Sequence, residues 1–121
     1  MNQPRVPAGG PKGGQWTSLA SKGFHLQSWH KNWLRENLVE LKEVSVENLV
    51  PTEQGDVFPT PKTHPHKLGG ILTDWKQGYR VPVPEVFHRS DGKLSVSDGH
   101  HRIGAQIARG RKTIPVIVSK K

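Results

Sequence analysis

Apolar positions along the chain recur at two spacings, and each spacing predicts a kind of element. From His25 to Asn37 the residues Leu26, Trp29, Trp33 and Leu34 fall three and four apart, the repeat of one helical face. Leu38 to Val44 alternates instead, with Val39 and Leu41 between Glu40 and Lys42, and predicts a strand. Ser45 then offers a hydroxyl cap to a single turn that Pro51 stops. Lys67 to Gln77 places Leu68, Ile71, Leu72 and Trp75 on one face, with Gly78 as its C-terminal stop, and predicts a second helix. Val81 to His88 and Lys93 to Val96 flank Ser90-Asp91-Gly92, a hairpin turn. Pro82 and Pro84 lack the N–H a ladder needs and relegate the start of that hairpin to an edge. A third helix opens at Asp98-Gly99, with Ile103 and Ile107 inward and Gly110 after it, and Thr113 to Val118 forms the last strand. The order predicts a compact α+β domain with a small mixed sheet flanked by helices.

Two stretches lack either period. Residues 1–23 are rich in Gly and Pro, and such a composition buries too little apolar surface to offset backbone entropy. They read as a flexible tail or linker ahead of a domain over residues 24–121. Thr52 to Pro65 reads as a long surface loop around Glu53, and a loop of that length in a small domain is usually functional or disordered.

Composition narrows the classes. The chain has 121 residues, enough for one domain and not two. No apolar run approaches the roughly 18 residues of a membrane span, and the N-terminal residues form no secretory signal, so no membrane partner is expected. With no cysteine, disulfides, thiolate ligands and thiol nucleophiles are excluded. The net charge is +8, and it sits entirely in the second half: Met1 to Asp56 holds six Lys or Arg against six Asp or Glu, and Val57 to Lys121 holds twelve against four. Such asymmetry suits a polyanion, nucleic acid or a nucleotide, although basic residues also serve solubility alone.

The chemistry concentrates at Asp98-Gly99-His100-His101-Arg102. A strand runs through glycine into a helix start, where backbone N–H groups and the positive dipole end converge, an anion-binding arrangement. Gly99 admits a phosphate close to the backbone, and Arg102 adds a charge-assisted fork. His100 and His101, as neighbours on a helix, face different directions, so one is available to a phosphate oxygen. The plainer alternative is Asp98 as a helix cap with two surface histidines. Glu53 is the candidate carboxylate, as general base or Mg²⁺ ligand, against the alternative of an ordinary loop glutamate. Lys67, Arg109, Arg111 and Lys112 are candidate nucleic-acid contacts. His64 and His66 have no third ligand at motif spacing, so no metal site is assigned to them; His66 and Lys67 can instead approach a phosphate from the second helix.

The Asp98-Gly99-His100-His101-Arg102 box, with Ala105, Gly110 and Ile114-Pro115-Val116 after it, resembles the ParB/sulfiredoxin superfamily over about Leu38 to Val118. The resemblance implies a fold in which this box binds nucleotide phosphates. With no Cys, sulfinic-acid repair is excluded; a partition clamp is disfavoured because the sequence ends after the last strand. ParB-like nucleases and toxin domains carry a similar box. Free-serine kinases of the superfamily resemble the chain too, with Glu53 in the place of their acidic base. The expected activity is a hydrolase, a DNA-binding nuclease acting on nucleic acid or nucleotide bonds, with Mg²⁺ and ATP or another nucleotide as the implied cofactors. The alternatives are an ATP- or ADP-dependent kinase of a small hydroxylated metabolite such as serine, and a non-catalytic nucleic-acid or virion-associated module. Val6 to Thr17 resembles linkers of phage-related proteins and polymorphic toxins, which implies a cytoplasmic site of action after delivery, a phage or toxin carrier, and a cognate immunity protein.

Overall fold

The structure, a computed structural model, describes residues 19–52 and 57–120. Its seven strands are β1 (Phe24–His25), β2 (Val39–Ser45), β3 (Leu49–Val50), β4 (Val81–Pro82), β5 (Glu85–His88), β6 (Leu94–Asp98) and β7 (Thr113–Ser119). The helices α1 (Ser28–Arg35), α2 (Pro65–Lys76) and α3 (His100–Ala108) lie between them, with a short 3₁₀ turn at Val46–Asn48. Five strands form one mixed sheet in the order β2-β7-β5-β6-β3; β1 and β4 pair in parallel as a separate ribbon. The α+β class expected from the periodicities is the class observed.

The central strands explain the layering. All five residues from Ile114 to Val118 on β7 are buried, which requires cover on both sheet faces. Val86 lies in register with Val96 and Val118, and all three are in the core. Ile103 of α3, fully buried, belongs to the same cluster, and Leu68 of α2 is fully buried beside α3. The opposite side carries Glu85 and Phe87, because side chains alternate along a strand, and there α1 reaches Glu85 through His30. Gly104 allows α2 and α3 to close on the loop before α2: a Cβ at Gly104 would overlap the Pro59 carbonyl oxygen and approach Leu68.

Four local expectations differ from the structure. The predicted strand over Val81 to His88 is two, since the prolines interrupt its ladder: Val81 and Val83 donate to Gly23 and His25 carbonyls, while Pro84 offers its carbonyl to Ile117 N–H at 2.9 Å. On α1 the buried residues are His30 and Leu34, and Trp29 is 45% exposed, because buried His30 finds a hydrogen-bond partner in half-buried Glu85. On α3, Ile107 is exposed and Gln106 turns inward, where its amide donates to the Thr113 carbonyl at 2.9 Å. Residues 19–23, which composition assigns to the tail, join the folded body: residues 19–22 are helical and Leu19 is buried. The rest of the expected tail lies outside the described residues.

Smaller features agree. Ser45 Oγ accepts from Glu47 N–H at the single turn. In the hairpin, Asp91 accepts from Lys93 N–H, and Gly92 takes a φ of 86°.

Candidate functional site

Strand β6 ends at Asp98, and α3 begins after Gly99, whose φ of 107° lies in the left-handed region that favours glycine. A Cβ there would also sit 2.7 Å from Pro84 Cβ, so the space expected to admit a phosphate beside Gly99 is filled by Pro84 of the β4–β5 connection. Gly99, rather than Asp98, is the N-cap residue, and its carbonyl accepts from Ile103 N–H at 2.9 Å. Asp98 instead accepts from Arg102 Nη2 at 3.0 Å, while Arg102 Nη1 donates to the Pro82 carbonyl at 2.9 Å. These two bonds fix the guanidinium beside the helix start.

The adjacent histidines separate as helical geometry requires. His100 is buried, and its Nε2 accepts from Thr52 N–H at 3.0 Å; that bonding places the ring proton on Nδ1. Thr52 is fixed a second time by its hydroxyl, which donates to the Val96 carbonyl at 2.8 Å. His100 thus ties the chain leaving β3 to the start of α3. His101 is half-buried and meets the ring of His64 edge-on, with centroids 5.1 Å apart.

His64 is the N-cap residue of α2, so this ring contact joins the starts of two helices. Neither helix has an acidic residue in its first turn, and both dipoles present their positive ends there. His66 and Lys67 are exposed in the first turn of α2. The arrangement concentrates positive potential and imidazole donors where β6 passes into α3, chemistry suited to phosphate oxygens.

The remaining expected residues lie elsewhere. Glu53 falls outside the described residues; Thr52, which precedes it, is the fixed neighbour just described. Arg109, Arg111 and Lys112 lie at or beyond the far end of α3, about 13 Å along its axis by helical rise. Arg111 and Lys112 are exposed. Arg109 packs: its guanidinium stacks 3.6 Å from the Trp75 ring centre and donates to the Lys22 carbonyl at 2.7 Å and Gln106 at 2.8 Å. Burial, then the charge of Arg111, pulls its pKa below the ordinary arginine value. An open groove of about 400 Å³ beside this stack is lined by Leu72, Thr73, Trp75, Lys76 and Arg109. Its lining includes neither carboxylate nor imidazole.

Sequence reading missed His30, Thr52 and Glu85. His30 Nε2 meets Glu85 Oε2 at 2.7 Å across 55 positions, a separation that carries no local signal. Among the described residues no group of three His, Cys, Asp or Glu is placed to hold a metal ion, and no helix is long and apolar enough to cross a membrane. No family model matches the chain, and no curated protein compared with it matches significantly.

Proposed function

We propose that the chain is a ParB-like phosphate-binding enzyme, a nuclease that hydrolyses phosphodiester or anhydride bonds of nucleic acid or nucleotides. One observation carries the reading: the starts of α2 and α3 meet through His64 and His101, and the same first turn of α3 carries the guanidinium of Arg102, fixed on Asp98. The phosphate lies against the first turn of α3, where the helix dipole and Arg102 favour the charge that grows on its oxygens.

Water attacks phosphorus as its proton passes to the Glu53 carboxylate; the bond to the leaving oxygen breaks, and protonated His101 supplies the proton that oxygen needs. His100 acts indirectly, through its bond to Thr52, by holding the segment that leads to Glu53. Lys67 and, farther along, Arg111 and Lys112 attract the polyanion, whose distributed charge matches a basic half-chain better than a single nucleotide does.

Mg²⁺ fits this donor set, since it is commonly held by one or two carboxylates together with phosphate oxygens and water. Asp98, whose side chain is 55% exposed and gives one oxygen to Arg102, would hold it, with Glu53 as a ligand only in place of its role as base. When bound, it supplies charge neutralisation at the phosphate. The delivered-toxin context rests on Val6 to Thr17, outside the described residues.

Nicking of supercoiled plasmid and cleavage of labelled RNA test the proposal. Cleavage is expected to fall about a hundredfold or more in Glu53→Gln and in His101→Ala, the scale of a lost general acid or base. ATP-dependent phosphorylation of free serine without nicking would assign the kinase alternative; salt-sensitive binding without turnover would leave a binding module.

A further inference from the structure

On the sheet side where α1 packs against β2 and reaches Glu85 of β5, two aromatic rings stay exposed. Phe87 on β5 is 44% exposed and Trp29 on α1 is 45% exposed. Glu85 lies between them in the fold: it shares a strand face with Phe87, two residues on, and its Oε2 accepts from His30 Nε2 at 2.7 Å and from Trp29 Nε1 at 3.4 Å. His30 is completely buried, so the carboxylate is held from beneath by a rigid group. Oε1 has no protein partner among the described residues, and the Glu85 side chain is 23% exposed. A carboxylate fixed by one oxygen and flanked by two exposed aromatic rings suits a flat heterocycle bearing N–H donors.

Two further observations indicate what brings that heterocycle. Glu85 pairs with Asp98, the residue before Gly99, where the register shifts between Glu85 and Val86, so this end of the face lies one strand pairing from the turn into α3, which itself packs on the opposite sheet side. Arg89 borders the other side, donating to Ser95, the register partner of Phe87, and Lys93 follows in the exposed hairpin turn. We infer that this sheet face binds the bases of a single-stranded polynucleotide, stacking them on Phe87 and Trp29, with an exocyclic amine donating to Glu85. The strand must be single because bases in a duplex are stacked on one another and unavailable to protein rings. The amine requirement favours cytosine over thymine, since thymine offers a carboxylate only a ring N3–H set between two carbonyls that repel it. The substrate assignment rests on the phosphate reading above, whereas the stacking face can be tested apart from it.

The test is fluorescence anisotropy of the full chain with labelled oligodeoxycytidylate, oligothymidylate and a duplex, in EDTA to prevent turnover. Phe87→Ala is expected to weaken oligodeoxycytidylate binding about tenfold, the scale of one lost stacking contact, and to leave duplex binding unchanged. Phe87→Trp should restore the affinity and Phe87→Leu should not, which separates stacking from simple apolar contact. Glu85→Gln should reduce the preference for oligodeoxycytidylate over oligothymidylate. Arg102→Ala should weaken all three ligands alike. An effect of Arg102→Ala with none from Phe87→Ala overturns the base face and leaves the phosphate site standing; the converse upholds the base face and removes the phosphate site. Equal weakening of duplex and single strand by Phe87→Ala, or full rescue by leucine, overturns the inference.

Discussion

The two ends of α3 each carry an arginine held by several bonds, yet they have different uses. At the start, Arg102 bonds Asp98 and the Pro82 carbonyl on the rim where two helix starts meet. At the end, Arg109 is flattened on Trp75 and bonds the Lys22 carbonyl, joining α3, α2 and the segment that enters β1. Gly23 completes that second cluster: Trp75 Nε1 donates to its carbonyl at 2.8 Å, and a Cβ at Gly23 would fall 2.6 Å from the indole. The contrast teaches that a cation's role follows from what its donors already bind. Arg109 serves assembly, whereas Arg102 fixes the helix start at which the anion is proposed to bind.

The sharpest way to break this comparison is to alter the turn that builds the first region. Gly99→Ala should lose about 3 kcal/mol of stability, combining left-handed strain with overlap on Pro84. Chemical denaturation measures the loss, and phosphate binding should fall with it. A wild-type melting curve would mean that the turn tolerates a side chain and that the phosphate cradle is not shaped by Pro84.

A crossed comparison of the two arginines follows, with a smaller effect on stability. Arg109→Ala should cost about 2 kcal/mol in unfolding free energy, from the lost cation–π contact and charge-assisted hydrogen bonds, while intact protein retains its affinity for single strands. Arg102→Ala should cost about 1 kcal/mol or less, and reduce affinity about tenfold at low salt. If the two variants exchanged these phenotypes, the assignment of roles along α3 would be reversed.

The smallest effect belongs to the hairpin turn, which acts as a control for both regions. The Asp91 carboxyl is held below its ordinary value chiefly by the side chain of Arg89, then by Lys93 N–H. A lowered native pKa gives stability that is present above the unfolded value near 4 and is lost as pH falls through the lower native value. Asp91→Asn should therefore flatten the acid limb of a stability–pH curve slightly and leave nucleic-acid affinity at neutral pH unchanged. Loss of affinity in that variant would extend the binding face into the turn.

The α3 start was the most legible part of the site, because the glycine and the helix that follows it are contiguous in sequence. The α+β class was legible as well, since helical and strand spacings are local properties. Boundaries shifted where tertiary contacts outweighed pattern. Trp29 looked like core by spacing, yet His30 takes the buried place because Glu85 supplies its hydrogen bond. Arg109 looked like a nucleic-acid contact by charge, yet Trp75 and the Lys22 carbonyl occupy it. His64 was weighed only with His66 as a metal pair, whereas its ring meets His101.

What the chain alone determined is therefore what depends on near neighbours: helical and strand periods, turns built on glycine, the glycine-led helix start and the uneven charge. The tertiary structure alone decided which polar groups meet, as in Glu85 with His30, His100 with Thr52, and His101 with His64. Such pairs form when strand register and helix packing bring distant residues within hydrogen-bond or ring-contact distance. Their free energy depends on geometry in space, and no spacing along the sequence encodes it.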